Sequence, residues 1–104
     1  MNKKPPVVSR KLRASARGQE CTMQVVGACN SNPETVVLAH INTTGTGSKG
    51  AKCHDFSAAF MCSDCHAWYD GHAGSEIDRL FYSRRAMVRT LELWVEMGLI
   101  TIKG

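Results

Sequence analysis

The cysteines limit what this chain of 104 residues can fold into. Cys62 and Cys65 are separated by two residues, a spacing that lets two thiolates reach one metal ion. Cys21 and Cys29 are separated by seven residues, and a strand followed by a turn could bring them together. Four thiolates around one Zn²⁺ form a closed tetrahedral site, which would join the start of the chain to its middle. We therefore expect these four cysteines to bind structural zinc, with Cys53 as a spare thiol.

A metal site would matter here because a chain of this length buries only a modest part of its surface. The length indicates one domain. No apolar run approaches the roughly 18 to 20 residues needed to span a membrane. The first residues, MNKKPPVVSRKLR, carry positive charge but lack the apolar segment of a secretory signal. These features predict a cytoplasmic protein, whose reduced thiols are available for metal rather than for disulfides.

The sequence CSDCH at residues 62–66 also allows two other interpretations. It has the attachment pattern of a c-type haem, and its two cysteines could form a redox pair. Covalent haem is normally attached in exported proteins, and a thioredoxin-like redox pair requires a βαβ context. Neither interpretation uses His40 or the basic N-terminal segment. We therefore expect a metal site and no haem.

The positive charge is concentrated at the N-terminus. Residues 1–20 carry six basic side chains and one acidic one, a net +5, whereas the other 84 residues carry seven basic and eight acidic ones, a net −1. Such a segment favours a polyanion, most simply nucleic acid, although a solvated tail that aids solubility would have the same composition. The loop TGTGSKGAK could also lie along a DNA backbone. The candidate phosphate contacts are Arg10, Lys11, Arg13, Arg17, Lys49 and Lys52.

The pattern of residue types predicts an α+β chain in two parts. Residues 1–19 should form a basic arm with a short helix in SRKLRASARG, which Ser9 could cap and Gly18 could end. Residues 20–104 should form the single domain. Within it, CTMQVVGAC at 21–29 indicates a short strand and a turn, and the β-branched TVVLAHI at 35–41 predicts a strand.

A long amphipathic helix is predicted from about residue 76 to residue 97. Ser75 with Asp78 three residues later resembles a helix start, and Gly98 is a natural stop. Apolar residues recur between these limits at helical spacing, and we expect them to form a stripe that packs on the core. The stripe comprises Ile77, Leu80, Phe81, Val88, Leu91, Trp94 and Val95.

Two histidines are candidates for chemistry. His66 and Asp70 lie four residues apart, so they would share one face of a helix that follows Cys65. Such a pair can bind a divalent ion whose shell is completed by water or phosphate oxygens, which suits catalysis. His40 lies at the end of the predicted strand, and a neutral histidine can take a proton from water. A lone histidine on a strand is, however, more often structural.

The order of these features resembles the HNH, or His-Me finger, endonucleases, which have a zinc-bound, treble-clef-like ββα core. The resemblance covers roughly residues 20 to 72 and extends to the small prophage-encoded nucleases of the YbcO type. It is carried by GQECTMQVVGACNSNPETVVLAHINTTGTGSKGAKCHDFSAAFMCSDCHAWYD. It implies that His40 is the general base and that His66, with Asp70, binds a catalytic ion such as Mg²⁺. It places Asp55 near the middle asparagine of the family, which fixes the geometry of a loop.

The chain departs from the HNH pattern at two positions. Many HNH enzymes have an acidic residue or a second histidine just before the general base, where this chain has Ala39. The middle asparagine is absent, and Asp55 is an approximate substitute. The sequence predicts a metal-dependent HNH-like endonuclease that hydrolyses DNA phosphodiester bonds in phage or prophage DNA processing or recombination. The alternative is a zinc-stabilised DNA-binding or adaptor module without catalysis, which Ala39 favours and the His40/His66 pair opposes.

Overall fold

The computed structural model describes residues 5–42 and 54–104. The elements in these ranges are α1 (Arg10–Ser15), a 3-10 helix (Pro33–Thr35), β1 (Val37–His40), β2 (Ala58–Met61), α2 (Ser63–Asp70) and α3 (Glu76–Glu96). The α+β class expected from the sequence is confirmed. Three residues named above, Lys49, Lys52 and Cys53, lie outside the described ranges. Among the described helices, none has the length and apolar character needed to cross a membrane.

The two strands form an antiparallel pair in which Val37 lies opposite Met61 and His40 lies opposite Ala58. All four residues of β2 are buried, so this strand lies in the core. The edge of β2 that faces away from β1 is also hydrogen-bonded. The backbone N–H and the hydroxyl of Thr22 both donate to Phe60 O, at 2.8 and 2.9 Å. The loop that contains Thr22 therefore satisfies part of the outer edge of β2, to which a third strand could otherwise have paired.

The strand predicted within residues 21–29 is wrong. Thr22 pairs with β2, but Gln24 has a φ of +49° and so leaves the extended conformation. A turn follows, in which the N–H groups of Ala28 and Cys29 donate to Val25 O at 3.1 and 2.9 Å. The turn that was predicted with the strand is therefore present, and it folds the chain back toward residue 21.

The helix starts are set by local capping. Ser9 Oγ accepts from Leu12 N at 3.2 Å at the start of α1, as the sequence suggested. Ser75 Oγ accepts from Asp78 N at 3.1 Å at the start of α3. After α3 the chain passes through Gly98, whose φ of +75° is a conformation that glycine adopts without strain. The predicted limits of α3 are confirmed to within one residue.

The buried face of α3 differs from the prediction. Of the predicted apolar stripe, Trp94 is fully buried, but five members are exposed by 42 to 78%: Ile77, Phe81, Val88, Leu91 and Val95. The buried residues of α3 are Arg79, Ser83, Ala86, Thr90 and Trp94. The face on the core therefore carries mostly small or polar side chains.

Hydrogen bonds explain why α3 packs through this face. Thr90 Oγ1 lies 3.0 Å from Thr22 Oγ1 and accepts from Phe60 N at 3.1 Å. Ser83 Oγ donates to Leu80 O at 3.2 Å. Because these buried polar atoms have partners, their small side chains bring the helix close to β2 without a desolvation penalty. Thr90 also completes the edge of β2 that Thr22 covers in part.

Candidate functional site

Four cysteines come together although they are far apart in the chain. The sulfur atoms of Cys21, Cys29, Cys62 and Cys65 all lie within 4.8 Å of one another. The sulfurs of Cys29 and Cys62 are 3.8 Å apart. Four sulfurs placed tetrahedrally at about 2.3 Å from zinc would be separated by about 3.8 Å. The cluster therefore has the spacing to hold a metal such as zinc.

The cluster is built by the turn after residue 25 and by the start of α2. Cys62 is the N-cap of α2, and its Sγ accepts from Cys65 N at 3.3 Å. Burial raises the pKa of the Cys62 thiol, but backbone hydrogen bonds from Asn30 and Cys65 outweigh it and lower this pKa to about 7. Burial raises the pKa of Cys21 and Cys65. Cys21 and Cys65 therefore need a nearby cation before they become buried thiolates. A bound metal ion supplies that positive charge.

A second group of contacts centres on Asp55, whose side chain is completely buried. Its Oδ1 lies 2.9 Å from Nε2 of His40, the last residue of β1. Its Oδ2 accepts from Arg13 Nε at 2.8 Å and from Ser9 N at 2.7 Å. One carboxylate therefore joins the end of β1 to the first turn of α1.

The charge of Asp55 fixes which nitrogen of His40 faces the carboxylate as a donor. Burial raises the pKa of Asp55, but hydrogen bonds from Arg13, from the backbone of Ser9 and from His40 outweigh it and lower the pKa to about 2. The carboxylate can only accept, so Nε2 of His40 is the donor. In the neutral ring Nδ1 then carries the lone pair and can take a proton. The side chain of His40 is 38% exposed, which gives water access to it.

The N-terminal segment lies against Asp55, the residue that contacts His40. Val7 N donates to Nδ1 of His54 at 2.8 Å, and Asp55 N donates to Val7 O at 2.9 Å. These bonds and the Ser9 contact fix residues 7–9 against residues 54–55. Arg13 remains 53% exposed although its Nε is held by Asp55. The other candidate phosphate contacts of this segment, Arg10, Lys11 and Arg17, are also exposed.

His66 and Asp70 meet on one face of α2, as their spacing predicts. His66 Nε2 lies 2.9 Å from Asp70 Oδ2, and the two side chains are 37% and 60% exposed. Two ligands bound at a right angle about 2.1 Å from an ion such as Mg²⁺ would be about 3 Å apart. The pair could thus hold one divalent ion. Within the described ranges, no third histidine, cysteine or acidic residue joins the pair to form a larger group.

Sequence reasoning missed the residues that join the two histidine-bearing segments. Tyr69 Oη donates to Asn42 Oδ1 at 2.8 Å and accepts from Asn42 N at 3.0 Å. Asn42 lies two residues after His40, and Tyr69 lies three residues after His66. Arg79 of α3 donates from Nε to Tyr69 O at 3.1 Å and lies 4.7 Å above its ring. A tyrosine buried within a short polar helix was the one signal in the sequence for this contact.

Comparison with known proteins gives matches over most of the chain. The family model described as "Putative nuclease YbcO" matches residues 10–99. Two proteins of that description, from Escherichia coli strain K12 and Enterobacteria phage 82, are each 39% identical over 99 residues. Each alignment covers 86% of this chain and 95% of the relative. A solved structure called "Structure of a putative bacteriophage protein from Escherichia coli str. K-12 substr. MG1655" is 37% identical, with a TM-score of 0.71. That match covers 85% of this chain and 100% of the solved one.

Proposed function

This chain belongs to the family described as "Putative nuclease YbcO", and from that premise we propose that it is a metal-dependent endonuclease of the HNH kind that hydrolyses DNA phosphodiester bonds. The observation that carries the proposal is the buried carboxylate of Asp55, which holds His40 on one oxygen and Arg13 on the other. An oriented base beside a guanidinium suits phosphodiester hydrolysis. The phage relative supports a role in phage or prophage DNA processing or recombination.

His40 is the proposed general base. Its Nε2–H is fixed by Asp55, so Nδ1 is the atom that would take a proton from the attacking water. The imidazolium formed in this step would be stabilised by the same carboxylate, which stays ionised because its pKa is about 2. Asp55 thus fixes both the direction of the ring and the tautomer. This role is related to the loop-fixing role of the middle asparagine in the HNH pattern, although the chemical group differs.

Arg13 is the proposed phosphate ligand nearest to the base. A guanidinium has five N–H donors, and the bond to Asp55 uses only the one on Nε. The terminal nitrogens can therefore donate to a phosphate while Nε keeps its contact. Because Arg13 and His40 are bound to the two oxygens of one carboxylate, they can act on one phosphodiester. Arg10, Lys11 and Arg17 would contact phosphates farther along the backbone, as would Lys49 and Lys52.

His66 and Asp70 are the proposed ligands of a divalent ion such as Mg²⁺, with water and phosphate oxygens as the remaining ligands. When bound, such an ion supplies positive charge for the transition state and the leaving 3′ oxygen. Ala39 cannot coordinate an ion, so the ion would depend on this pair, water and phosphate oxygens. Ala39 is 2% exposed and lies beside His40 in β1, where successive side chains point to opposite faces. A carboxylate at position 39 would thus be buried in the core rather than aimed at an ion near His40.

The four cysteines are the proposed ligands of structural Zn²⁺. Such a site would tie the turn near residue 27 to the start of α2, where His66 directly follows Cys65. The chain order then supports an HNH-type ββα core. β1 ends at His40, β2 leads into Cys62, and α2 carries His66.

The proposal is tested by incubating supercoiled DNA with the purified protein and Mg²⁺ or Mn²⁺. We expect the wild type to nick the DNA, and the His40→Ala variant to be at least about 100-fold slower, as for loss of a general base. The matched control is His72→Asn, because His72 is exposed and has a φ of +54°, which asparagine tolerates. It should cleave like the wild type. Equal cleavage by His40→Ala and wild type would show that His40 is not the base.

One observation favours the second candidate, a DNA-binding or adaptor module without catalysis. His66 and Asp70 have no third protein ligand in the described part of the chain, so ion binding there would depend on water and substrate. A module of this kind would shift DNA in a gel in a salt-dependent way and would leave it intact with every divalent ion. The nicking assay separates the two functions directly.

A further inference from the structure

The outer face of α3 carries a continuous apolar stripe. We name it the α3 outer stripe, and its members are Ile77, Phe81, Arg84, Val88, Leu91 and Val95. Its five apolar members are exposed by 42 to 78%. Consecutive members are separated by 4, 3, 4, 3 and 4 residues, an alternation of four and three. That is the repeat with which one helix pairs along its length with another.

The stripe is comparable with the largest apolar patches of monomeric proteins, which are often functional sites. At the observed exposures, its apolar side chains present roughly 500 Å² to solvent. The opposite face of α3, with Ser83, Ala86 and Thr90, is the one that packs on the core. The larger apolar side chains of this helix are therefore available to a partner.

We propose that this partner is a second copy of the chain, whose α3 packs antiparallel against the first through the same stripe. The distribution of charge supports self-pairing. The middle of α3 is basic, with Arg84 and Arg85, and its last turns are acidic, with Glu92 and Glu96. An antiparallel pair centred between residues 89 and 90 places the basic middle of each helix against the acidic end of the other. A two-fold axis satisfies both halves at once.

This register can be stated residue by residue. Val88 of each copy meets Leu91 of the other, and Arg84 reaches Glu96 of the other. Phe81 lies opposite Gly98 of the second copy, a position that has no side chain.

A groove beside the stripe fits the same arrangement. It has a volume of about 500 Å³ and is lined by Phe81, Arg84, Arg85, Val88, Arg89 and Glu92. Residues 81, 84, 85 and 88 have the i, i+3, i+4, i+7 spacing of a hole that receives one side chain from a facing helix. In the register above, that side chain is Val95 of the second copy. Arg85 Nε is buried here and has no acceptor within the described ranges.

The size of the stripe sets the expected strength of pairing. Two copies would bury about 1,000 Å² in total, which is at the lower limit for a specific interface. We therefore expect a reversible dimer with a dissociation constant on the order of 10 µM.

Sedimentation equilibrium of the nucleic-acid-free protein, from about 1 to 300 µM, tests the proposal at concentrations on both sides of this constant. The wild type should pass from monomer to dimer. Val88→Glu should stay monomeric, because it places a charge in the central layer. Val26→Glu is the matched control, since Val26 is 87% exposed and is not a member of the stripe, and it should dimerise like the wild type. Thermal melting of both variants shows whether each is folded. A monomeric wild type at 300 µM, or a Val88→Glu variant that dimerises normally, would overturn the proposal.

A charge reversal tests the antiparallel register. Arg84→Glu and Glu96→Arg should each weaken dimerisation about tenfold or more, because like charges then face each other across the axis. The double variant Arg84→Glu/Glu96→Arg should regain most of the wild-type affinity. If the double variant lost dimerisation affinity by the sum of the two single losses, this register would be ruled out. The readout is mass rather than cleavage, so it is independent of the proposed nuclease activity.

Discussion

Replacing Asp55 with asparagine should lower the free energy of unfolding by about 2 to 4 kcal/mol at pH 7. Three donors converge on this buried carboxylate, from Ser9 N, Arg13 Nε and His40 Nε2, at 2.7 to 2.9 Å. Asparagine keeps one acceptor oxygen and turns an NH₂ group toward at least one of the donors. The pKa of Asp55 gives a second measure. A value of about 2 against an ordinary value near 3.9 corresponds to roughly 2.5 kcal/mol that favours the carboxylate in the folded state.

Urea unfolding of the wild type and of Asp55→Asn measures this difference. Asp70→Asn is the control, because the Asp70 side chain is 60% exposed and its contact with His66 lies within one helix. The control should change the free energy of unfolding by no more than about 0.5 kcal/mol. If Asp55→Asn lowered the free energy of unfolding by no more than this control does, the three contacts would not hold the N-terminal segment in place.

The pH dependence of the same difference is a separate test. Folding lowers the pKa of Asp55, so its stabilisation is fully present above the unfolded pKa near 4 and is lost as the pH falls toward 2. The gap between the wild type and Asp55→Asn should therefore shrink as the pH falls below 4. Effects of acid on groups that both proteins share and that do not contact Asp55 cancel in the difference. A gap that does not change with pH would refute the electrostatic explanation.

Three further changes test other contacts. Cys29→Ser should reduce bound zinc from about one ion per chain to nearly none, because a hydroxyl is a poor zinc ligand, and elemental analysis measures this. Tyr69→Phe removes both hydrogen bonds to Asn42 and should cost about 1 to 2 kcal/mol in urea unfolding; an unchanged midpoint and slope would contradict this. Trp94→Phe removes the 2.7 Å bond from Nε1 to Ser15 Oγ and leaves a small cavity in the core. It should lower the melting temperature by roughly 10 °C, and an unchanged melting curve would show that this bond contributes little.

The features that the sequence predicted well are those that neighbouring residues determine. Ser9 and Ser75 cap their helices through N–H groups three residues later, and β1 lies within the segment TVVLAHI that was predicted as a strand. The cysteines could also be grouped in advance, because a metal site constrains residue type and spacing. The strand predicted at 21–29 failed because residue types that favour strands were overridden by the positive φ of Gln24 and by the turn that follows.

The buried face of α3 could not be predicted because hydrophobicity did not decide it. Thr90 contacts Thr22 and Phe60, which are 68 and 30 residues away. When the sequence of α3 is considered alone, Thr90 is assigned to the solvent face, because its hydrogen-bond partners lie on other elements. Five of the seven apolar residues that appeared to define the core face lie on the outside. A helical repeat of apolar residues thus identifies a surface that needs a partner, but not whether the partner is the chain's own core.

The same reasoning applies to the basic N-terminal segment. Its composition fitted both a nucleic-acid contact and a solvated tail, and charge alone could not separate them. Residues 7–9 are fixed by backbone bonds to His54 and Asp55, and Arg13 is held by a carboxylate 42 residues away. Since that carboxylate also holds His40, the charge that docks the segment is the charge that orients the proposed base. A basic tail serving only solubility would not need a buried acid, because exposed arginines remain hydrated without one.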